Sequence, residues 1–126
     1  YLYYLNEAQL ISSVWKETKG ISRLQKPGKI YLENTNIMYT LATDKPDKGT
    51  LRETFFFNQL KYKHKIQLSD QTDFKVDGQY AFEIGGMNKN KKQITNLNSD
   101  KTFIASDDIE YGFDNKIPLW LFGFLY

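Results

Sequence analysis

Three carboxylates carry the chemistry this sequence is equipped for: Glu53, Asp73 and Glu83. Glu53 lies in Leu51-Arg52-Glu53-Thr54-Phe55. Asp73 opens the run Asp73-Phe74-Lys75-Val76, and Glu83 lies near the end of Gln79-Tyr80-Ala81-Phe82-Glu83-Ile84. Asp77-Gly78 between those runs is a two-residue hairpin signal. A hairpin closed on it pairs Val76 with Gln79 and sets Glu83 opposite Thr72, beside Asp73. Two acids then meet at the open end of the hairpin. At about 4 Å and an effective dielectric near 20 they would repel by about 4 kcal/mol. A hard cation such as Mg²⁺ removes that repulsion by taking carboxylate oxygens as ligands, and it can activate water against a phosphodiester. Each acid also has an ordinary structural reading. Thr50-Leu51-Arg52-Glu53 has capping-box spacing, which would occupy Glu53 at a helix start. Asp73 can end a strand, and Glu83 can pair with a lysine.

The elements that must position these acids alternate between helix and strand. Leu2, Leu5, Ala8 and Ile11 recur at helical spacing, and a β-prone stretch with Val14 and Trp15 follows. Lys26-Pro27-Gly28 marks a turn before the short strand Lys29-Ile30-Tyr31-Leu32. Asn34, Thr35 or Asn36 caps a helix carrying Ile37, Met38 and Leu41. The next helix carries Leu51, Phe55, Phe56 and Leu60. Lys65 to Leu68, the Asp77-Gly78 hairpin and Thr102-Phe103-Ile104-Ala105 supply strands. Residues 117–126 form an apolar tail without a charge, with Pro118 suited to a first helical turn. An all-round apolar segment is buried on several sides, so this tail packs inside the domain or docks on a neighbour. The alternation indicates an α/β layered domain over residues 1–126.

Composition excludes several classes. The chain has 126 residues, no Cys and one His, His64. Disulfide scaffolds, cysteine zinc sites, iron–sulfur clusters and thiol catalysis are ruled out. Neither G-x-x-x-x-G-K-[ST] nor G-x-G-x-x-G occurs, so no nucleotide is held by those loops. Net charge is only +2, less basic than a dedicated nucleic-acid binder. Two lysine groups stand out as phosphate contacts: Lys61, Lys63 and Lys65 around His64, and Lys89, Lys91 and Lys92 after Gly85-Gly86. Lysines on a sheet edge also guard against aggregation. No apolar run reaches the roughly 18–20 residues of a membrane span. The start lacks a signal-peptide pattern, which with zero Cys suits a cytoplasmic setting. Tyr1 stands inside a helical pattern, as expected for part of a longer protein.

Taken jointly, several segments resemble one family. They are Tyr1-Leu2-Tyr3-Tyr4-Leu5-Asn6-Glu7-Ala8-Gln9-Leu10-Ile11, Lys26-Pro27-Gly28-Lys29-Ile30-Tyr31-Leu32-Glu33-Asn34-Thr35-Asn36 and Leu51-Arg52-Glu53-Thr54-Phe55. Asp73-Phe74-Lys75-Val76-Asp77, Phe82-Glu83-Ile84-Gly85-Gly86 and Ile117-Pro118-Leu119-Trp120-Leu121-Phe122-Gly123 complete the set. The chain resembles the C-terminal module of bacterial and archaeal AAA-type ATPases of unknown function. That module is similar to the PD-(D/E)xK nuclease superfamily. The resemblance implies a restriction-endonuclease-like fold, a central mixed sheet flanked by helices. It matches Glu53 to the helix glutamate, Asp73 to the strand aspartate and Glu83 to the glutamate of the E-x-K pair. It implies Mg²⁺ on Asp73 and Glu83, with Glu53 as a further ligand, and DNA as a partner. It also implies an ATPase domain preceding this module as a partner, and an oligomer is compatible with the sequence.

One departure decides the functional expectation. Active nucleases carry lysine two residues after the glutamate, where this chain has Gly85. That lysine supports the attacking water and developing charge, and losing such a group typically costs about 10²–10³ in rate. The sequence alone therefore favours a non-catalytic, nuclease-like accessory domain that binds DNA or a protein. The alternative is a Mg²⁺-dependent endonuclease or exonuclease in which Lys89, Lys91 or Lys92 reaches back across Gly85-Gly86. A lysine within about 4 Å of the Asp73–Glu83 pair, the reach of an ion pair, would favour the alternative.

Overall fold

The phenylalanines of the third helix and of the central hairpin set the architecture. A computed structural model describes residues 1–17, 26–89 and 99–125. It contains helices α1 (Leu2–Glu7), α2 (Thr35–Leu41) and α3 (Lys48–Leu60). The strands are β1 (Ile11–Val14), β2 (Lys29–Leu32), β3 (Ile66–Leu68), β4 (Phe74–Val76), β5 (Tyr80–Gly85), β6 (Thr102–Ser106) and β7 (Lys116–Pro118), and a 3₁₀ helix spans Leu119–Phe124. The protein is thus mixed α/β. A five-stranded sheet runs in the order β3-β4-β5-β6-β7, and β1 and β2 form a separate antiparallel pair. The β3-β4-β5 steps are antiparallel, whereas β5-β6 and β6-β7 are parallel. Beyond β1 the chain runs along β3: Leu68 N–H donates to the Trp15 carbonyl at 2.9 Å, and Glu17 N–H to the Leu68 carbonyl at 3.3 Å.

Strand alternation sorts the hairpin residues between two faces. Phe74, Val76, Phe82 and Ile84 are buried in one cluster with Phe56, Phe57 and Leu60 of α3. Phe56 is fully buried and contacts the rings of Phe74, Phe82 and Phe122 at centroid distances of 5.5, 5.0 and 4.8 Å. Burying each such side chain is worth about 1.5–3 kcal/mol. The helix therefore lies across the sheet through the face its phenylalanines define.

Helix starts follow short polar side chains. Asn34 caps α2, its Oδ1 accepting from Asn36 N–H at 2.7 Å. For α3 the capping-box expectation is corrected. The cap is Asp47, whose Oδ2 accepts from Thr50 N–H at 2.8 Å. Aspartate is a strong cap, and it starts the helix at Lys48, before Thr50 can. Glu53 accordingly lies inside the helix and is released from the capping role.

The C-terminal tail divides its apolar residues. Leu119 and Phe122 enter the core, but Trp120, Leu121, Phe124 and Leu125 are exposed. A 3₁₀ turn places residues i and i+3 on one side, so only that side is covered; Tyr126 lies outside the described residues. Leu2 and Leu5 of α1 are exposed, whereas Ile11 is buried. No helix among the described residues is long and apolar enough to cross a membrane.

Candidate active site

The hairpin turn sets the distance between Asp73 and Glu83. Asp77 and Gly78 both have positive φ, 52° and 70°, as a type I′ turn requires. Gln79 N–H closes that turn on the Val76 carbonyl at 3.1 Å. The ladder, however, pairs Val76 with Tyr80 and Phe74 with Phe82. Gln79 is one residue more than the expected two-residue register accommodates. Continued one step, this register sets Glu83 opposite Asp73 itself, which corrects the expected pairing with Thr72. Ile84 N–H donates to Asp73 Oδ2 at 2.7 Å, which ties the aspartate to the partner strand.

Glu83 is 8 % exposed and forms an ion pair with Lys89, Nζ to Oε1 at 2.6 Å. Lys89 reaches it by folding back through a turn in which its N–H donates to the Gly86 carbonyl at 3.0 Å. The lysine side chain then lies over Gly85. A Cβ at position 85 would stand 2.7 Å from Lys89 Cδ and 2.9 Å from its Cβ and Cγ. Gly85 therefore leaves the space that Lys89 fills. Arg52 backs the same loop: its Nη atoms would meet a Cβ on Gly86 at 3.3 Å. Asp107 and Asp108 hold that guanidinium at 2.9 and 3.2 Å.

Glu53 approaches from α3. Its Oε2 accepts from Tyr31 Oη at 2.7 Å and from Lys29 Nζ at 2.8 Å. Tyr31 and Lys29 lie two apart on β2, so alternation turns both side chains the same way. Burial, followed by the Glu53 carboxylate, pushes the Tyr31 hydroxyl far above its ordinary range, so it donates a proton that it keeps. Asp73 is raised as well. Burial is the leading cause, opposed by the Ile84 N–H bond; the charges of Glu83 and Glu53 raise it further, and Lys89 lowers it.

The charges do not balance. Three carboxylates face two ammonium groups, one on Glu53 and one on Glu83. Among the described residues no cation stands within ion-pair distance of Asp73. Among the described residues one negative charge is thus left over in a partly buried place. Mg²⁺ commonly takes one or two carboxylates and completes its octahedron with water and substrate phosphate. Asp73 and Glu83 fit that requirement. Among the described residues, no group of three or more acids or histidines is gathered to hold one ion. Glu53 thus stands behind the pair, engaged with β2.

The basic residues separate. Lys61 forms a largely buried ion pair with Glu33 and donates to Ser12 Oγ at 3.0 Å. Glu33 also accepts from Tyr62 Oη at 2.7 Å. Lys63 and Lys65 are exposed, and Lys63 lines a cavity of about 490 Å³ with Gln59 and Asn58. His64 pairs with Asp77, Nδ1 to Oδ2 at 2.7 Å. Lys91 and Lys92 lie outside the described residues. The sequence reading missed Lys29 and Tyr31 as site residues. Their spacing on a short strand was the available signal, but nothing local joins β2 to α3.

Comparison of the chain with protein-family models, with curated proteins and with solved structures finds no match.

Proposed function

We propose that this domain is a divalent-metal-dependent nuclease that hydrolyses phosphodiester bonds in DNA. The observation that carries the reading is the placement of Lys89, 2.6 Å from Glu83 in the space over Gly85. An ammonium group thereby stands beside the acid pair although the expected lysine position is glycine. The sheet order and the acids at the open end of the β4–β5 hairpin support a restriction-endonuclease-like reading of the fold.

In this reading Asp73 and Glu83 hold Mg²⁺. The ion, when bound, supplies an activated water and charge neutralisation at the phosphate. Lys89 presents its ammonium to the charge that develops on the phosphoryl oxygens, a role worth about 10²–10³ in rate when preorganised. Ile84 N–H keeps Asp73 in place, and Arg52 keeps the Gly85-Gly86 turn closed on Lys89. Lys63 and Lys65 are free to contact the DNA backbone, whereas Lys61 is committed to Glu33.

The test is cleavage of supercoiled plasmid by the chain with Mg²⁺ or Mn²⁺, alongside Asp73→Asn and Glu83→Gln. Nicking by the parent and its loss in both variants is the expected result. A folded parent that leaves plasmid intact with either ion would return the domain to a non-catalytic role. It would then be an accessory module of an AAA-type ATPase that binds DNA or a protein partner.

A further inference from the structure

We infer that Tyr31 and Lys29 are positioning residues that clamp the Glu53 carboxylate from β2 and so hold its charge in place behind the Asp73–Glu83 pair. Only the expected effect on turnover rests on the nuclease reading above; the clamp itself is a statement about geometry.

Both donors meet the same oxygen, Oε2, at 2.7 and 2.8 Å. Two bonds to one carboxylate oxygen fix the position of that end of the side chain, and Oε1 is the oxygen not engaged by β2. Tyr31 is itself immobilised. It is 4 % exposed, and its ring stacks on Phe57 at 5.2 Å and meets Phe74 at 5.8 Å. Phe74 is the residue next to Asp73, so one packed set of rings relates the clamp to the acid pair. Lys29 lies farther out, its side chain 44 % exposed against 22 % for Glu53. The hydroxyl is therefore the buried half of the clamp and the ammonium the outer half. Residues behind a metal site that hold its surroundings in place typically change metal affinity or activity by about 10–100-fold when removed.

The variants are Tyr31→Phe, Lys29→Met and the double variant, each in the full chain. Tyr31→Phe keeps the ring stack and removes only the hydroxyl, so a cooperative melt is retained. Crystal structures would read the clamp directly. In the double variant Glu53 should leave its place beside β2; a carboxylate that stays there overturns the inference whether or not any variant cleaves DNA. Cleavage kinetics in Mn²⁺ would read the consequence. Tyr31→Phe should lower kcat about 10–100-fold with KM for DNA unchanged. Turnover equal to the parent, or a loss confined to KM, counts against a positioning role. Calorimetric titration of the parent with Mn²⁺ separates the two ideas. A parent that neither binds Mn²⁺ nor cleaves sinks the nuclease reading, and the crystal structures still decide the clamp.

Discussion

Relocating one ammonium group tests the Gly85–Lys89 relationship most sharply. Gly85→Ala places a Cβ 2.7 Å from Lys89 Cδ, a separation that real side chains do not adopt. The backbone offers no obstacle, because Gly78 is the one described glycine with positive φ. The flexible lysine must therefore move, and its 2.6 Å pair with Glu83 is broken. Glu83 retains 11 % side-chain exposure, so water compensates it poorly. Gly85→Ala should thus behave like Lys89→Met, each losing about 10²–10³ in plasmid nicking rate, or about 2.7–4 kcal/mol of barrier. The combined change Gly85→Lys with Lys89→Ala restores an ammonium from the vacated side and should recover much of that loss. Single-turnover nicking in Mg²⁺, with circular dichroism to confirm folding, measures the parent, these variants and Lys89→Ala alone. Lys89→Met at the parent rate would refute the reasoning. So would a folded double variant that is no faster than Lys89→Ala alone.

Asp73→Asn should abolish nicking yet stabilise the fold at neutral pH. The folded-state pKa of Asp73 is raised, so the native chain binds that proton more readily than the unfolded chain. Stability from this group therefore falls as pH climbs from about 4 through the raised value, and the asparagine flattens that slope in thermal melts. Lys61→Met should cost about 3 kcal/mol in denaturant unfolding, because it leaves Glu33 without its cation in a largely buried pair. It should leave DNA affinity unchanged, whereas Lys63→Met and Lys65→Met each reduce the slope of log K against log salt by about 0.9. Removing residues 119–126 takes Leu119 and Phe122 out of the core, about 3–6 kcal/mol at roughly 1.5–3 each. Trp120→Ser with Phe124→Ser should leave the unfolding free energy within about 0.5 kcal/mol of the parent, as for exposed sites.

Much of the fold was legible because its signals are local. The Asp77-Gly78 turn, the alternation of Phe74, Val76, Phe82 and Ile84, and Asn34 as a cap each depend on neighbours within a few residues. What escaped was competition between adjacent local signals. Asp47 and Thr50 both suit a helix cap, and the aspartate acts three residues earlier. A two-residue turn and the same turn followed by one extra residue have the same sequence signature, yet they differ by one step of register. That step moves Glu83 from opposite Thr72 to opposite Asp73. At the site, the three acids and Lys89 could be named from sequence, while Lys29 and Tyr31 could not. Their partner Glu53 lies more than twenty residues away, on an element whose approach to β2 is set by Phe57 and Tyr31 stacking in the core.

The location of the surplus charge is itself an argument about function. A site built only for stability would carry asparagine at position 73. The amide oxygen would still accept the Ile84 N–H bond, and the repulsion from Glu83 and Glu53 would vanish. Instead the chain keeps a carboxylate that burial and two like charges disfavour. It aligns that carboxylate by register and backbone hydrogen bond, and it brings Lys89 to Glu83 across a glycine rather than to Asp73. Lys29 and Tyr31 meanwhile satisfy Glu53 from the far side. Perturbed titrating groups gathered in this way are more characteristic of sites that bind or react than of sites that merely pack. Among the described residues no cation stands within ion-pair distance of Asp73, and a divalent cation held by Asp73 and Glu83 would supply the missing positive charge.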